Sequence, residues 1–311
     1  MGFEQLRHRL QHGRPLVMDA DAGASFRARG VALDTPGALG ALLRQRPLEV
    51  LDHYRAEVHS RVDVLCALTA DTTPRALAEV GMQHRSAALT SQAVELAFEA
   101  AESTDKPVAI AGVVASDMVS PIAADRLHEE LSEHAARVAA AGAELLLARG
   151  QGARLSLMAA VVAAASTDLP TWAVIECAAS GDLLSGGSAL ELIESLQLAG
   201  ASAILFEVVS VDRGLEELAR AHWVFESAGS VPGVLLAGSS RSVRGFEDPD
   251  SEPERWVSRA LELSAAGARV LGGGASTTET HTAALAHALG ALHPSLPSQR
   301  SDTELGGPKH W

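Results

Sequence analysis

Residues 140–150 have the sequence AAGAELLLARG, in which an alanine-rich segment is followed by a glycine and then by a run of apolar residues. Two later stretches repeat this order, LAGASAILFEVV at 198–209 and AAGARVLGGG at 265–274. In each stretch the glycine is placed to end a helix as its C′ residue, and the apolar run begins within three positions. The pattern therefore predicts a helix that leads directly into a buried strand, at three places along the chain.

Five further apolar runs extend this pattern over the chain. They are RPLVMDAD (14–21), RVDVLCALT (61–69), KPVAIAGVV (106–114), PTWAVIECA (170–178) and VPGVLLAGS (231–239). Continuous rather than alternating apolar residues are typical of strands that are covered on both faces, as in parallel sheets. Crossover helices are predicted at 127–141, 189–199 and 253–266. Eight such units predict an α/β fold, a single closed (β/α)8 TIM barrel, with an open doubly wound sheet as the alternative.

The chain divides into three predicted parts. Residues 1–13 form an N-terminal helical lead-in, and residues 14–292 form the barrel. Residues 293–311 have the composition of a linker, so a flexible C-terminal tail is expected there. A length of 311 residues suits one barrel of this kind.

Composition excludes several classes of partner and location. The formal net charge is −14 with no basic block, which argues against nucleic acid as a partner. Cys66 and Cys177 are too few for a disulfide framework, and no C-x-x-C pair is present, so a reducing, cytoplasmic location is expected. Residues 1–15 lack the apolar core of a signal peptide, and no apolar stretch is long enough to predict a membrane span.

Barrel enzymes carry their chemistry at the carboxyl ends of the strands, so the residues at those ends are the candidate site residues. In chain order they are Asp19, Asp21, Thr69, Asp71, Asp117, Arg149, Glu176, Glu207, Ser239, Arg241, Gly272, Gly273 and Gly274. The set contains both signs of charge. It predicts a polar mouth that binds a small-molecule substrate.

Four segments resemble motifs of the homocysteine S-methyltransferase family, and they occur in the family's order. VMDADAGASFRARG (17–30) resembles the opening D-G-G-M-G-T-E-L-x-x-R-G, and DVLCALTADTTPRALAEVGM (63–82) resembles A-D-I-x-T-x-T-Y-x-A-S. HAARVAAAGAELLLARG (134–150) resembles an A-G-x-D-L-L-x-E-T element, and GGGASTTETH (272–281) resembles the terminal G-G-C-C-x-T-x-P-x-H. The resemblance covers roughly residues 14 to 290 and implies a barrel that transfers methyl groups.

This resemblance also implies a zinc ion held by three cysteine thiolates, which binds the thiol of homocysteine. At the corresponding positions this chain has Val208, Gly274 and Ala275. None of these residues can ligate a metal, so zinc is not expected and no cofactor is predicted. A site for Mg²⁺ or Mn²⁺ stays open, because Glu207 and Asp71, with Cys66 or Cys177, also lie near strand ends.

A second departure concerns the substrate. The resemblance implies that an aspartate after the first strand and a glutamate after the fourth hold the amino group of homocysteine. Asp19 keeps the first of these, but Arg149 occupies the second position. A guanidinium there favours an anionic group and disfavours plain homocysteine. The alternative is that Arg149 forms an internal ion pair with Glu176 or Asp117.

Two functions follow as hypotheses. In the first, the chain is a divergent methyltransferase-like enzyme in which Asp19 orients the substrate, Arg149 binds its anionic group, and Glu207 or Glu176 acts as general base. In the second, it is an inactive relative that serves as a ligand-binding subunit, as a homodimer or with a methyltransferase partner. For Gly272–Gly274 there are likewise two interpretations: an emptied metal site whose amides receive an anion, or close packing where the barrel closes.

Overall fold

The computed structural model describes residues 2–115, 122–151, 153–177, 189–238 and 252–292. Eight parallel strands form one sheet in the order β1-β8-β7-β6-β5-β4-β3-β2. The strands are β1 (Leu16–Val17), β2 (Val64–Ala67), β3 (Ala109–Ala115), β4 (Leu145–Arg149), β5 (Thr171–Glu176), β6 (Ala201–Val208), β7 (Val231–Leu236) and β8 (Val270–Gly273). Each lies within one residue of a predicted run, so the eight predicted strands are confirmed.

The two ends of the sheet meet at β1. Leu16 and Val17 pair with Val270 and Leu271 of β8. On the other side of β1, a single bridge joins Met18 to Val64 of β2. The ring of strands therefore closes, which confirms the predicted (β/α)8 barrel. The strand at which it closes, β1, is the shortest of the eight.

Helices surround the barrel and cover one end of it. They are α1 (Gly2–Gln11), α2 (Ala22–Ala28), α3 (Ala38–Gln45), α4 (Pro47–His59), α5 (Pro74–Ala78), α6 (Ser86–Ala101), α7 (Ala124–Ala140), α8 (Arg154–Ala165), α9 (Ala189–Leu198), α10 (Val211–Ala228), α11 (Pro253–Ala265) and α12 (Glu279–Leu292). Within the described ranges, none of these helices combines the length and apolar character that crossing a membrane requires.

Three of the predicted helix ends depend on glycine. Gly142, Gly200 and Gly267 follow α7, α9 and α11, and their φ angles are 102°, 108° and 113°. Residues with a Cβ rarely adopt such angles, so glycine is the residue that lets the chain leave the helix and enter the next strand. The predicted order of helix, glycine and strand is thus confirmed. The positive φ angle is the reason why the residue between helix and strand is glycine.

Side chains alternate between the inside of the barrel and the helical layer. Along β6, Ala203 and Leu205 face the interior, whereas Ile204 and Phe206 pack against the helices. Glu207 continues the inward series and emerges at the mouth, because alternate residues of a strand share a face. Helix α1 covers the opposite end, where the ring centroids of Phe3 and Trp172 lie 6.1 Å apart.

Candidate active site

A cavity of about 290 Å³ lies at the carboxyl ends of the strands. The predicted site residues that line it are Asp19, Asp21, Asp71, Arg149, Glu207, Gly273 and Gly274. Cys66 and Ala275 line it as well. The strand-end residues that the sequence singled out are therefore largely brought together around one space.

The inward residues of β4, β5 and β6 form an ionic cluster at the mouth. Arg149 donates to Glu207 in a close ion pair, and its Nη2 lies 3.7 Å from Oε1 of Glu176. The three side chains are 28%, 19% and 18% exposed, in that order, so the pairs are partly shielded from water. Burial lowers the pKa of Arg149, but the charges of Glu207 and Glu176 outweigh it and hold that pKa above its usual value. The guanidinium is therefore permanently charged and already bound to the protein's own carboxylates.

Asp19 lines the same cavity and is 6% exposed. Its Oδ2 accepts the backbone N–H of Cys66 at 2.7 Å. Burial raises the pKa of the Asp19 carboxyl to about 6, although the hydrogen bonds from Cys66 and the charge of Arg149 oppose the rise. A carboxylate with such a pKa can accept a proton and release it near neutral pH.

Cys66 is the cysteine at the mouth. Burial and the neighbouring Asp19 carboxylate raise the pKa of its thiol well above the usual range, so the thiol is neutral at pH 7. The side chain of Cys177 points away from the cavity, into the apolar layer between the strands and the helices. Its Sγ lies 3.8 Å from the carbonyl oxygen of Ile175. Burial raises the pKa of Cys177 to about 12. Both thiols are therefore protonated at neutral pH.

Two other acidic residues of the cavity have structural bonds. The Oδ2 of Asp21 accepts the N–H of Ser276 at 3.2 Å, and the N–H of Asp21 donates to the Thr277 hydroxyl at 3.2 Å. The Oδ2 of Asp71 accepts the N–H of Leu39 at 3.1 Å, at the start of α3. Both carboxylates therefore fix the loops of the mouth while they contribute negative charge to it.

The glycine run closes the barrel at β8. A Cβ on Gly273 would lie 2.1 Å from the Thr277 hydroxyl oxygen, and one on Gly272 would lie 2.7 Å from the Cβ of Met18. The amide of Gly273 donates to the Asp19 carbonyl at 3.3 Å, and that of Gly274 donates to the Leu236 carbonyl at 2.8 Å. These two amides are thus already bonded, so of the two interpretations of the glycine run the geometry favours close packing.

This packing leads to a first prediction. We expect Gly273→Ala to lower the free energy of unfolding by about 2 kcal/mol, because the new methyl group must displace Thr277. Thr277 cannot move freely, since its hydroxyl donates to the carbonyl of Gly274 at 2.6 Å. Gly290→Ala in α12 is the matched control, with open space around the new methyl group. It should stabilise the protein by about 0.5–1 kcal/mol. Urea unfolding measures both, and equal effects would contradict the packing argument.

The remaining predicted residues lie elsewhere. The Thr69 hydroxyl donates to the carbonyl of Val113 at 2.8 Å and accepts its N–H at 2.7 Å, so it joins β2 to β3 and does not face the cavity. Asp117, Ser239 and Arg241 lie outside the described residues. Among the described residues, Glu207, Asp71 and a cysteine do not come close enough together to bind one metal ion. The group of three possible ligands that does come together there lies outside the cavity.

Sequence reasoning missed two buried residues behind the mouth, His53 and Glu57 of α4. The N–H of Ala20 donates to Oε1 of Glu57 at 3.4 Å, next to Asp19. Burial and the charge of Asp19 raise the pKa of Glu57 to about 8. Burial lowers the pKa of His53 to about 4, with Arg29 adding to the decrease. Their spacing of four residues, which places them on one helix face, is the signal that could have revealed the pair.

Comparisons with known proteins agree with this geometry. The model of a family described as homocysteine S-methyltransferase matches residues 16–289. No curated protein matches the chain in sequence.

Solved structures share the fold at low identity. The metallated homocysteine methyltransferase MmuM from Escherichia coli has a TM-score of 0.76 and 18% identity, over 91% of this chain and 99% of that one. Its oxidized form has a TM-score of 0.76 and 19% identity, over the same shares of 91% and 99%. The rubisco-like protein MtnW from Alicyclobacillus acidocaldarius has a TM-score of 0.52 and 20% identity, over 94% of this chain and 66% of that one.

Proposed function

Because this chain belongs to the homocysteine S-methyltransferase family over residues 16–289, we propose that it catalyses methyl transfer or a closely related small-molecule reaction without a three-cysteine zinc site. We further propose that its acceptor is not plain homocysteine. The reaction takes place in the cavity at the mouth of the barrel. Asp19 is the residue at its centre.

The ion pair between Arg149 and Glu207 is the observation that carries this proposal. The family resemblance implies a carboxylate for an ammonium group at position 149 and a zinc thiolate at position 208. In this chain a guanidinium stands at the first position, and Val208, beside Glu207, stands at the second. In this ion pair the positive charge of Arg149 is already balanced by a carboxylate of the protein itself. An ammonium group and a metal-bound thiolate therefore have no partners at these two positions.

Charge in the cavity favours a positively charged substrate group. Asp19, Asp21, Asp71 and Glu207 line the cavity, and Arg149 is the cation among the described lining residues. The excess of carboxylates attracts a sulfonium or quaternary ammonium group and repels phosphate. Arg149 taken alone favours an anionic substrate group. Its pairing with Glu207 makes a cationic methyl donor the better match.

The proposed step is a direct displacement. A lone pair of the acceptor forms a bond to the methyl carbon of the donor, while the bond from that carbon to the positive sulfur or nitrogen breaks and leaves its electron pair on the heteroatom. The acceptor's proton passes to the carboxylate of Asp19. This residue suits the role of base better than Glu207 and Glu176, because those two carboxylates are held by Arg149.

A ligand screen tests this charge preference and gives a second prediction. S-methylmethionine, S-adenosylmethionine and choline should raise Tm, whereas phosphorylated metabolites of similar size should not. At a hundredfold excess over Kd, the expected stabilisation is about 2.7 kcal/mol. Stabilisation by the phosphorylated compounds alone would contradict the proposal. Binding of a methyl donor without transfer to any acceptor would instead favour the second hypothesis, a ligand-binding relative without catalysis.

A further inference from the structure

A cluster of possible metal ligands lies outside the barrel mouth, in the helical layer behind β1. His53 and Glu57 are one turn apart on α4, and Glu279 is the first residue of α12. One ligand atom from each of the three lies within 4.8 Å of the others. An imidazole and two carboxylates at such separations match the donor sets of protein sites for zinc and related divalent cations.

Two atoms of this cluster are buried without a partner. His53 is 1% exposed and Glu57 is fully buried. Neither Nδ1 of His53 nor Oε2 of Glu57 has a hydrogen-bond partner among the described residues. The Thr282 hydroxyl approaches Glu57 without completing a hydrogen bond. Buried polar atoms without partners cost stability, so a cation bound by these two side chains would offset that cost.

The third residue is held in place by neighbours. Oε2 of Glu279 accepts the Ser25 hydroxyl at 2.9 Å, and its Oε1 accepts from Arg29 at 2.9 Å. Such outer contacts orient a ligating carboxylate and leave it lone pairs for a metal. Arg29 is the cation that faces the cluster, and Glu279 balances it. The ring of Phe26 packs 4.9 Å from that of His53 and excludes water on that side.

We propose that His53, Glu57 and Glu279 bind one divalent transition-metal cation of the zinc class, with the Thr282 hydroxyl or a water as a further ligand. The site is structural. Helices α4 and α12 pack against each other on either side of β1, the two-residue strand at the seam of the barrel. A cation between them holds this seam together. The proposal is independent of the one for methyl transfer, because it uses none of the cavity residues.

Zinc binding by the metal-stripped full-length chain tests this site. We expect the wild type to take up one equivalent of Zn²⁺ and to gain in Tm. His53→Ala and Glu57→Gln should each weaken binding at least about 100-fold, because each removes a ligand. His59→Ala is the matched control, since His59 is an exposed histidine on the same helix and should leave zinc affinity unchanged.

Cobalt substitution of the wild type keeps the test valid if either variant fails to fold. Co²⁺ bound by nitrogen and oxygen should show visible absorption bands without the intense near-ultraviolet band of a thiolate ligand. With the wild type, either of two results would overturn the proposal: no uptake of Zn²⁺, or a thiolate band from Cys66 or Cys177. Equal affinity in His53→Ala and the wild type would overturn it as well. Methyl transfer is not a readout here, so either proposal can fail alone.

Discussion

Asp19→Asn should lower kcat/KM for methyl transfer by about 100- to 10,000-fold, the range that general bases contribute. Asparagine can still accept the N–H of Cys66, which Asp19 receives at 2.7 Å, so the cavity should keep its shape. It cannot take a proton from the acceptor. The wild-type rate should also rise with pH up to about 6, where the carboxyl of Asp19 loses its proton, and level off above that.

The control for this variant comes from the same cavity. Asp21→Asn makes the same chemical change in a carboxylate that binds the Ser276 amide and is not proposed as a base. It should cost less than about tenfold, a loss below the range of a general base. The assay uses the donor and acceptor that raise Tm most in the ligand screen. If Asp19→Asn kept a tenth of the activity, or kept the pH dependence, Asp19 would not be the base.

Arg149→Met should lower the free energy of unfolding by about 2 kcal/mol, because it leaves two partly buried carboxylates facing each other without their cation. Full burial would cost about 3–5 kcal/mol, but water reaches part of this cluster and reduces the penalty. Exposed fractions of 19% and 18% for Glu207 and Glu176 support the lower figure. Urea unfolding gives the change, provided that the slope with denaturant stays constant.

The double variant Arg149→Met/Glu207→Leu shows whether the loss of stability in Arg149→Met comes from the broken ion pair or from lost packing. Removing both partners should restore most of the loss, so that the double variant lies within about 1 kcal/mol of the wild type. Glu207→Leu alone, the other single variant of the cycle, should cost about 1 kcal/mol, because Arg149 keeps Glu176 as a partner at 3.7 Å. If the Arg149 and Glu207 effects simply add in a double-mutant cycle, the two residues do not interact as described.

The strands and three of the crossover helices were predictable from sequence, because their signals are local. Gly200 ends α9 and β6 begins at the next residue, so one short window contains both the stop and the buried run. The segment between β1 and β2 was harder. It folds into α2, α3 and α4, and no repeat in the sequence marks it.

Pairings at the mouth were only partly predictable. The sequence left Glu176 and Asp117 as partners for Arg149, since both are predicted at the ends of strands next to that of Arg149. The close partner is Glu207 on β6, two strands away, because inward side chains at one level of a barrel meet across the strand between them. The metal cluster was hidden for a similar reason. His53 and Glu57 are close in sequence, but Glu279 belongs to the last helix.

Transfer from the best methyl donor by metal-stripped protein tests the central claim most directly. The rate to the acceptor selected by the ligand screen is compared with the rate to homocysteine, each before and after zinc is restored. We expect metal-stripped protein that is still folded to transfer methyl groups to the selected acceptor, because the zinc proposed at His53 is structural. Transfer to homocysteine should stay at the uncatalysed rate with or without zinc. Transfer to homocysteine that is lost on metal removal and returns with zinc would contradict it.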